Sequence, residues 1–186
     1  MIWFSSDFHF NHRNICGPAL SKWESGYRNF DDLETMNRTI IRNVNQVVKP
    51  NDTLYFLGDF AFGDRAQIPV LRQSIKCQNI ILLVGNHDDY LLKHYSEQFE
   101  GIHHYLEIKY NKKLFVLCHY PLGSWRDMER GSYQLHGHCH SNYPQVGRQI
   151  DVGVDSWEFR PINIDFIREN FSGLNKKVDH HGTIRR

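Results

Sequence analysis

The chain has 186 residues, 40% hydrophobic and 13% aromatic, and carries a formal net charge of +1. That length suits one domain with a substantial core and is too short for a catalytic domain plus a separate cap. The near-neutral charge argues against a broad electrostatic footprint for duplex nucleic acid, and no apolar run approaches the roughly 20 residues that a membrane span needs.

Taken along the chain, residues 1–6 read as a buried strand. Residues 10–30 form a polar insertion bearing Trp23, Tyr27 and Phe30. A helix is predicted to begin near Asp31 or Asp32, either a suitable N-cap. Leu33, Met36, Ile40, Val44, Val47 and Val48 share one face of it, and Pro50-Asn51-Asp52 ends it. Residues 53–58 read as the second strand, 65–76 as a weaker helix with Pro69 in its first turn, and 79–84 as the third strand. Residues 102–110 and 113–118 read as a hairpin around Asn111-Lys112, although the favoured Asn-Gly turn is absent. Two more strands are predicted at 133–137 and 149–155, and a closing helix at 163–171. This gives one domain over 1–171 and an aperiodic tail, 172–186, expected to be mobile. Periodicity alone implies an α/β chain with a partly antiparallel second half.

Cys16, Cys77, Cys118 and Cys139 lie far apart with no C-x-x-C pair, which reads as reduced thiols in a cytoplasmic protein. Met1 leads straight into the first strand without a signal-peptide pattern, in keeping with that expectation.

Metal-type side chains recur where apolar runs give way to turns. They are Asp7 and His9 in SSDFH, Asp59 in LGDF, Asn86 in VGNHD, His119 in LCHYP, and His138 and His140 in HGHCH. Open α/β sheets build their sites at the C-terminal ends of strands, where this pattern delivers its ligands. Carboxylate, imidazole and one amide, without paired thiolates, suit hard or borderline divalent metals. His136 alternates with His138 and His140, so packing or support of a ligand is its expected part; Cys139 is expected to be a small buried residue, and His180-His181 to bind no metal.

The ordered set D-x-H, G-D, G-N-H-D, H and G-H-x-H, running from residue 7 to residue 140, resembles the calcineurin-like metallophosphoesterase superfamily. Residues 6–15, SDFHFNHRNI, are similar to a small bacterial and phage branch of it. The resemblance implies a four-layer α/β/β/α sandwich and two divalent ions, manganese first, with iron, zinc or nickel as alternatives. It assigns Asp7, His9 and His140 to one ion and Asn86, His119 and His138 to the other, with Asp59 shared. A water activated between the ions would attack phosphorus, and His87 would protonate the leaving oxygen. The chain departs from the pattern at Phe62, where several members carry an Asp that orients this histidine; Asp64, Asp88 or a backbone carbonyl are the replacements available.

Nothing in the sequence names the substrate or the oligomeric state. Contacts are expected from His12, Arg13 and Arg126, with Trp23, Tyr27 and Trp125 able to stack a base and Arg130 to pair a phosphate. The expected activity is a phosphodiesterase on a small nucleotide-like phosphodiester. The alternatives are a phosphomonoesterase or a nuclease acting on nucleic-acid ends. A non-catalytic scaffold, as in a eukaryotic retromer subunit of this fold, would lack key site residues, and here all are present.

Overall fold

The computed structural model describes residues 1–173. In chain order it comprises β1 (Ile2–Ser5), α1 (Arg13–Cys16), α2 (Leu33–Val47), β2 (Thr53–Phe56), α3 (Ile68–Ser74), β3 (Asn79–Leu83), α4 (Asp89–Tyr95) and β4 (Gly101–His103). The second half holds β5 (Leu106–Tyr110), β6 (Lys113–Leu117), β7 (Tyr133–His136), β8 (Gln149–Asp151), β9 (Ile162–Asn163) and α5 (Ile164–Phe171). The expected mobile tail lies, from residue 174 onward, outside the described residues.

Two sheets form, in the orders β4-β3-β2-β1-β9 and β5-β6-β7-β8. In the first, β1 to β4 are parallel and β9 runs antiparallel to β1. Parallel neighbours need long crossovers, and α2, α3 and α4 supply them. In the second sheet β5 pairs antiparallel with β6, while β6, β7 and β8 are parallel.

Side-chain alternation separates three apolar layers. Leu54, Phe56, Ile80 and Leu82 face Met36, Ile40, Val44, Leu71 and Leu91 of the helices. Between the sheets, Phe4 packs with Phe115, Leu117, Tyr133 and Leu135, and Ile164 and Ile167 of α5 complete that layer. On the far side of the second sheet, Leu114 and Val116 are covered by Trp125 and Met128. The α/β/β/α architecture therefore holds, and its last layer is a loop with a short 3-10 turn, Met128–Arg130, where a long helix could lie.

Local chemistry explains the boundaries. Asp32 caps α2 by accepting from Thr35 N at 2.6 Å, and Pro69 sits in the first turn of α3 after a 3-10 turn, Arg65–Gln67. Asn111 and Lys112 both adopt positive φ, 44° and 62°, as a type I′ hairpin turn requires even without glycine. Two expectations are corrected. The strand expected over 102–110 is two strands, β4 in the first sheet and β5 in the second. The strand expected over 149–155 stops at Asp151 and becomes a 3-10 turn, Val154–Ser156. The insertion and the segment after Asn86-His87 each hold a short helix, α1 and α4, too brief for a periodic signal. No helix among the described residues is long and apolar enough to cross a membrane.

Candidate metal centre

Asp7 and His9 follow β1, Asp59 follows β2, Asn86 and His87 follow β3, His119 follows β6, and His138 and His140 follow β7. The two sheets meet here: Ser6 bridges Gly153 in parallel fashion, and Val154 N donates to Ser6 O at 3.1 Å. Asp7, His9, Asp59, His138 and His140 all have positive φ, between 46° and 69°. Such backbone costs of order 1–3 kcal/mol per residue and persists only where the surroundings over-determine it. Buried phenylalanines provide part of that constraint, because Phe8, Phe10 and Phe60 alternate with His9 and Asp59 and pack below them. Ring centroids lie 5.2 Å apart for both Phe8–Phe10 and Phe10–Phe60, and 4.4 Å for Phe8–Phe56. Burying each ring is worth about 1.5–3 kcal/mol, comparable to the strain. Two glycines allow the close approach. A Cβ on Gly58 (φ 94°) would lie 2.6 Å from Gly85 N, and one on Gly137 would overlap Ser6 Oγ and Asp7 Oδ2.

Asp7, His9 and His140 bring one ligand atom each within 4.8 Å of one another, and Asp59, His119 and His138 do the same. Asn86 joins the second group, with Oδ1 3.1 Å from His119 Nε2 and 2.9 Å from His138 Nδ1. Asp59 Oδ2 stands between the groups, 3.5 Å from His9 Nε2 and 3.6 Å from His119 Nε2. All seven residues singled out in the sequence thus converge, in the two sets the resemblance implied.

The residues fit a pair of divalent cations on their own chemistry. Both ring nitrogens of His9 are buried without a hydrogen-bond partner, an arrangement that is costly unless a ligand claims one of them. Burial drives His9 well below its ordinary pKa, leaving a neutral ring with a lone pair to offer. Burial also pushes the Asp7 carboxyl up to about 6, against the pull of His119, His140 and the Ser6 hydroxyl; a cation would reverse that penalty. His119 Nδ1 donates to Leu57 O at 2.6 Å, which turns Nε2 toward Asp59 and Asn86.

Two residues that sequence reading missed complete the surroundings. Asp155 Oδ2 lies 2.7 Å from His140 Nδ1, and Arg28 grips the same carboxylate with Nε and Nη2 at 2.7 and 2.9 Å. Burial would raise Asp155, but the hydrogen bond from His140 and the Arg28 charge outweigh it and hold the carboxyl well below the usual range. Burial and the Arg28 charge pull His140 down, but its hydrogen bond to Asp155 and the charges of Asp7 and Asp155 outweigh them and raise it. Asp155 follows Val152-Gly153-Val154, the same apolar-run-then-acid pattern that flagged the candidate ligands; Arg28 carried no such signal.

His87 is half-buried beside the groups. Its backbone N donates to Asp59 Oδ1 at 2.9 Å, and its ring meets His9 at 5.5 Å and Phe62 edge-on at 4.9 Å. Neither acid considered as its orienting partner serves. Asp88 is buried and accepts from the backbone N–H groups of Asp59, Phe60 and Gly85, while Asp64 caps the 3-10 turn at Ala66 N. Phe62 also meets His12, ring centroids 4.1 Å apart. His12 is buried, caps α1 by accepting from Ile15 N, and is lowered to about 4 by burial and then by His87. Beyond it opens a cleft of about 910 Å³ lined by His12, Arg13, Lys22, Phe62, Asn37 and Gln67 among others.

Other expectations change. Arg126 does not line this cleft; it pairs with Glu107 at 2.7 Å because both project from the second sheet's side. Trp125 is buried against Leu114 and Val116 and cannot stack a base, and Arg130 pairs with Asp127. Trp23 is half-exposed, 5.7 Å from His12. Cys139, expected to be buried, is partly exposed. His136 joins neither group; its Nδ1 lies 2.9 Å from Gly137 O and its ring packs on Tyr143. His180-His181 lie outside the described residues.

The chain is similar to known proteins over most of its length. An uncharacterized protein of Methanocaldococcus jannaschii is 32% identical over 175 residues, covering 89% of this chain and 88% of that one. The Gene 66 protein of Mycobacterium phage L5 is 28% identical, covering 96% and 98%. The crystal structure of AQ665, a protein of unknown function from Aquifex aeolicus, superposes with a TM-score of 0.67 at 27% identity, covering 91% of this chain and 98% of that one. Residues 1–182 match the calcineurin-like phosphoesterase family, so the chain belongs to that family of metal-dependent phosphoric ester hydrolases.

Proposed function

We propose that the protein is a dinuclear-metal phosphodiesterase acting on a small nucleotide-like phosphodiester. The observation that carries the choice of a diester is the cleft lined by His12 and Phe62, whose rings meet those of His9 and His87 respectively. A monoester needs room for one ester arm, whereas a diester also needs a place for the second. The cleft combines Arg13 and Lys22 with Glu34 and Asp64, amides and the Phe62 ring, a charge-balanced lining suited to a sugar or base.

Asp7, His9 and His140 would hold one ion, Asn86, His119 and His138 the other, with Asp59 between them; manganese is the metal we favour. Bound there, two divalent ions would activate water and draw charge from the phosphoryl oxygens. Only two of the seven ligands are carboxylates, so the centre stays net positive and attracts the anionic substrate. His87 would give a proton to the departing oxygen, and His12 and Arg13 would position the ester arm.

The test is kcat/KM of manganese-loaded protein on a panel of cyclic and linear nucleotide diesters and their monoester counterparts. Diesters should exceed monoesters by at least about tenfold, roughly 1.4 kcal/mol of transition-state discrimination. A preference for monoesters would overturn the diester assignment while leaving the metal centre intact.

A further inference from the structure

The segment between β1 and α2 contributes one side chain that reaches the floor of the metal centre. The side chain of Arg28 is 2% exposed, and its guanidinium makes four hydrogen bonds to oxygen there. Two go to the Asp155 carboxylate; the others run from Nη2 to Asp7 O at 2.6 Å and from Nη1 to Phe8 O at 2.8 Å. The Phe159 ring closes over the guanidinium at 5.7 Å.

These bonds touch Asp7 directly, His140 through Asp155 and His9 through the Phe8–His9 peptide, and none goes to the second metal group. A carboxylate paired to arginine accepts hydrogen bonds and has none to give, so the contact with Asp155 places the proton of His140 on Nδ1. Nε2 is then left with its lone pair, the ring atom free to serve in the group with Asp7 and His9. The two carbonyls that Arg28 binds belong to the two peptide units joining Asp7 to His9, residues whose φ angles of 58° and 47° give the strand end its shape. The guanidinium therefore holds one ligand's tautomer and the other two ligands' backbone from a single rigid fork. Arginine suits this better than lysine, because its planar donors satisfy a carboxylate and two carbonyls at once.

We propose that Arg28, acting through Asp155 and the Asp7 and Phe8 carbonyls, is the positioning residue of the Asp7–His9–His140 metal group. The polar segment 10–30 is thus a working part of the metal centre as well as a wall of the cleft. This rests on the reading that those three residues hold an ion.

The experiment measures Mn²⁺ affinity and stoichiometry by competition with a fluorescent chelator, on the full chain, without substrate. Wild type is compared with Arg28→Ala, Arg28→Lys, Asp155→Asn and His140→Ala, alongside the thermal midpoint of each metal-stripped protein. Arg28→Ala and Asp155→Asn should each weaken one ion by about 10–100-fold and leave the other at wild-type affinity, the usual span for losing a ligand's support. Arg28→Lys should fall between, keeping the charge but losing the fork. If Arg28→Ala does not fold, the near-isosteric Asp155→Asn carries the test. Parallel weakening of both ions together with a lower stripped midpoint would make Arg28 a general structural residue and overturn the proposal. Unchanged affinity in Asp155→Asn alongside a loss in His140→Ala would overturn it alone. Wild-type binding of both ions in His140→Ala would overturn the metal assignment, and this proposal with it.

Discussion

Phe62 puts a hydrocarbon ring where several members of the family carry an acid, and the consequence falls on His87. Among the described residues no side chain hydrogen-bonds the His87 imidazole; an edge-on ring at 4.9 Å sets its pose. Aromatic packing restricts tilt without fixing which nitrogen carries the proton, so acid catalysis should matter in proportion to the leaving group's need for it. His87→Ala should keep both ions and lose about 10²–10⁴ in kcat/KM on a ribose-type leaving group, but clearly less on p-nitrophenolate, which departs without protonation. Equal losses on the two would assign His87 to phosphate positioning. At this scale the candidate ligands were legible because metal chemistry restricts their types and strand ends restrict their places. Arg28 was not: its partners lie 20, 21 and 127 positions away, and nothing local marks a lone arginine for burial. Arg126 shows the converse, a cation picked out near the expected site that pairs with Glu107 of a neighbouring strand.

Elements were read best where one physical signal dominated. Helix α2 carried an apolar stripe and a capping acid, and Asp32 is the cap of the two offered. The backbone N–H of Thr35 and then its hydroxyl hold the Asp32 carboxyl below the usual range. A group depressed in the folded state contributes stability above its unfolded pKa, about 3.9, and loses it as pH falls through the lower folded value. Between about pH 5 and pH 3 the thermal midpoint of wild type should therefore fall further than that of Asp32→Ser, which keeps an oxygen cap that does not titrate. Equal falls would show that the carboxylate charge adds nothing to the cap. Boundaries failed where tertiary pairing decides. No local feature tells β4 from β5, since one segment supplies an edge to each sheet across two residues, His104 and Tyr105. Periodicity likewise ran through Asp151 although the chain turns there to let Asp155 reach His140.

For the whole molecule, the fold matters because neither sheet holds a complete centre. The first sheet supplies Asp7, His9, Asp59 and Asn86; the second supplies His119, His138 and His140. Packing of Phe4 against Phe115, ring centroids 6.3 Å apart, keeps the two sheets in the register that lets the sets meet. The layered architecture was legible through the family resemblance, whereas alternation of elements alone left the second sheet's pairing open. The slender covering of that sheet by Trp125 and Met128 had no sequence signature, because loop packing has no period. Titrating chelator-stripped protein with Mn²⁺, while counting bound ions and following hydrolysis of bis(p-nitrophenyl) phosphate in the same samples, tests the centre most directly. The account predicts no hydrolysis in the stripped protein and full activity only as occupancy approaches two ions per chain, since Asp59 stands within reach of both groups. Hydrolysis that persisted after verified removal of metal, or full activity at one ion per chain, would contradict it.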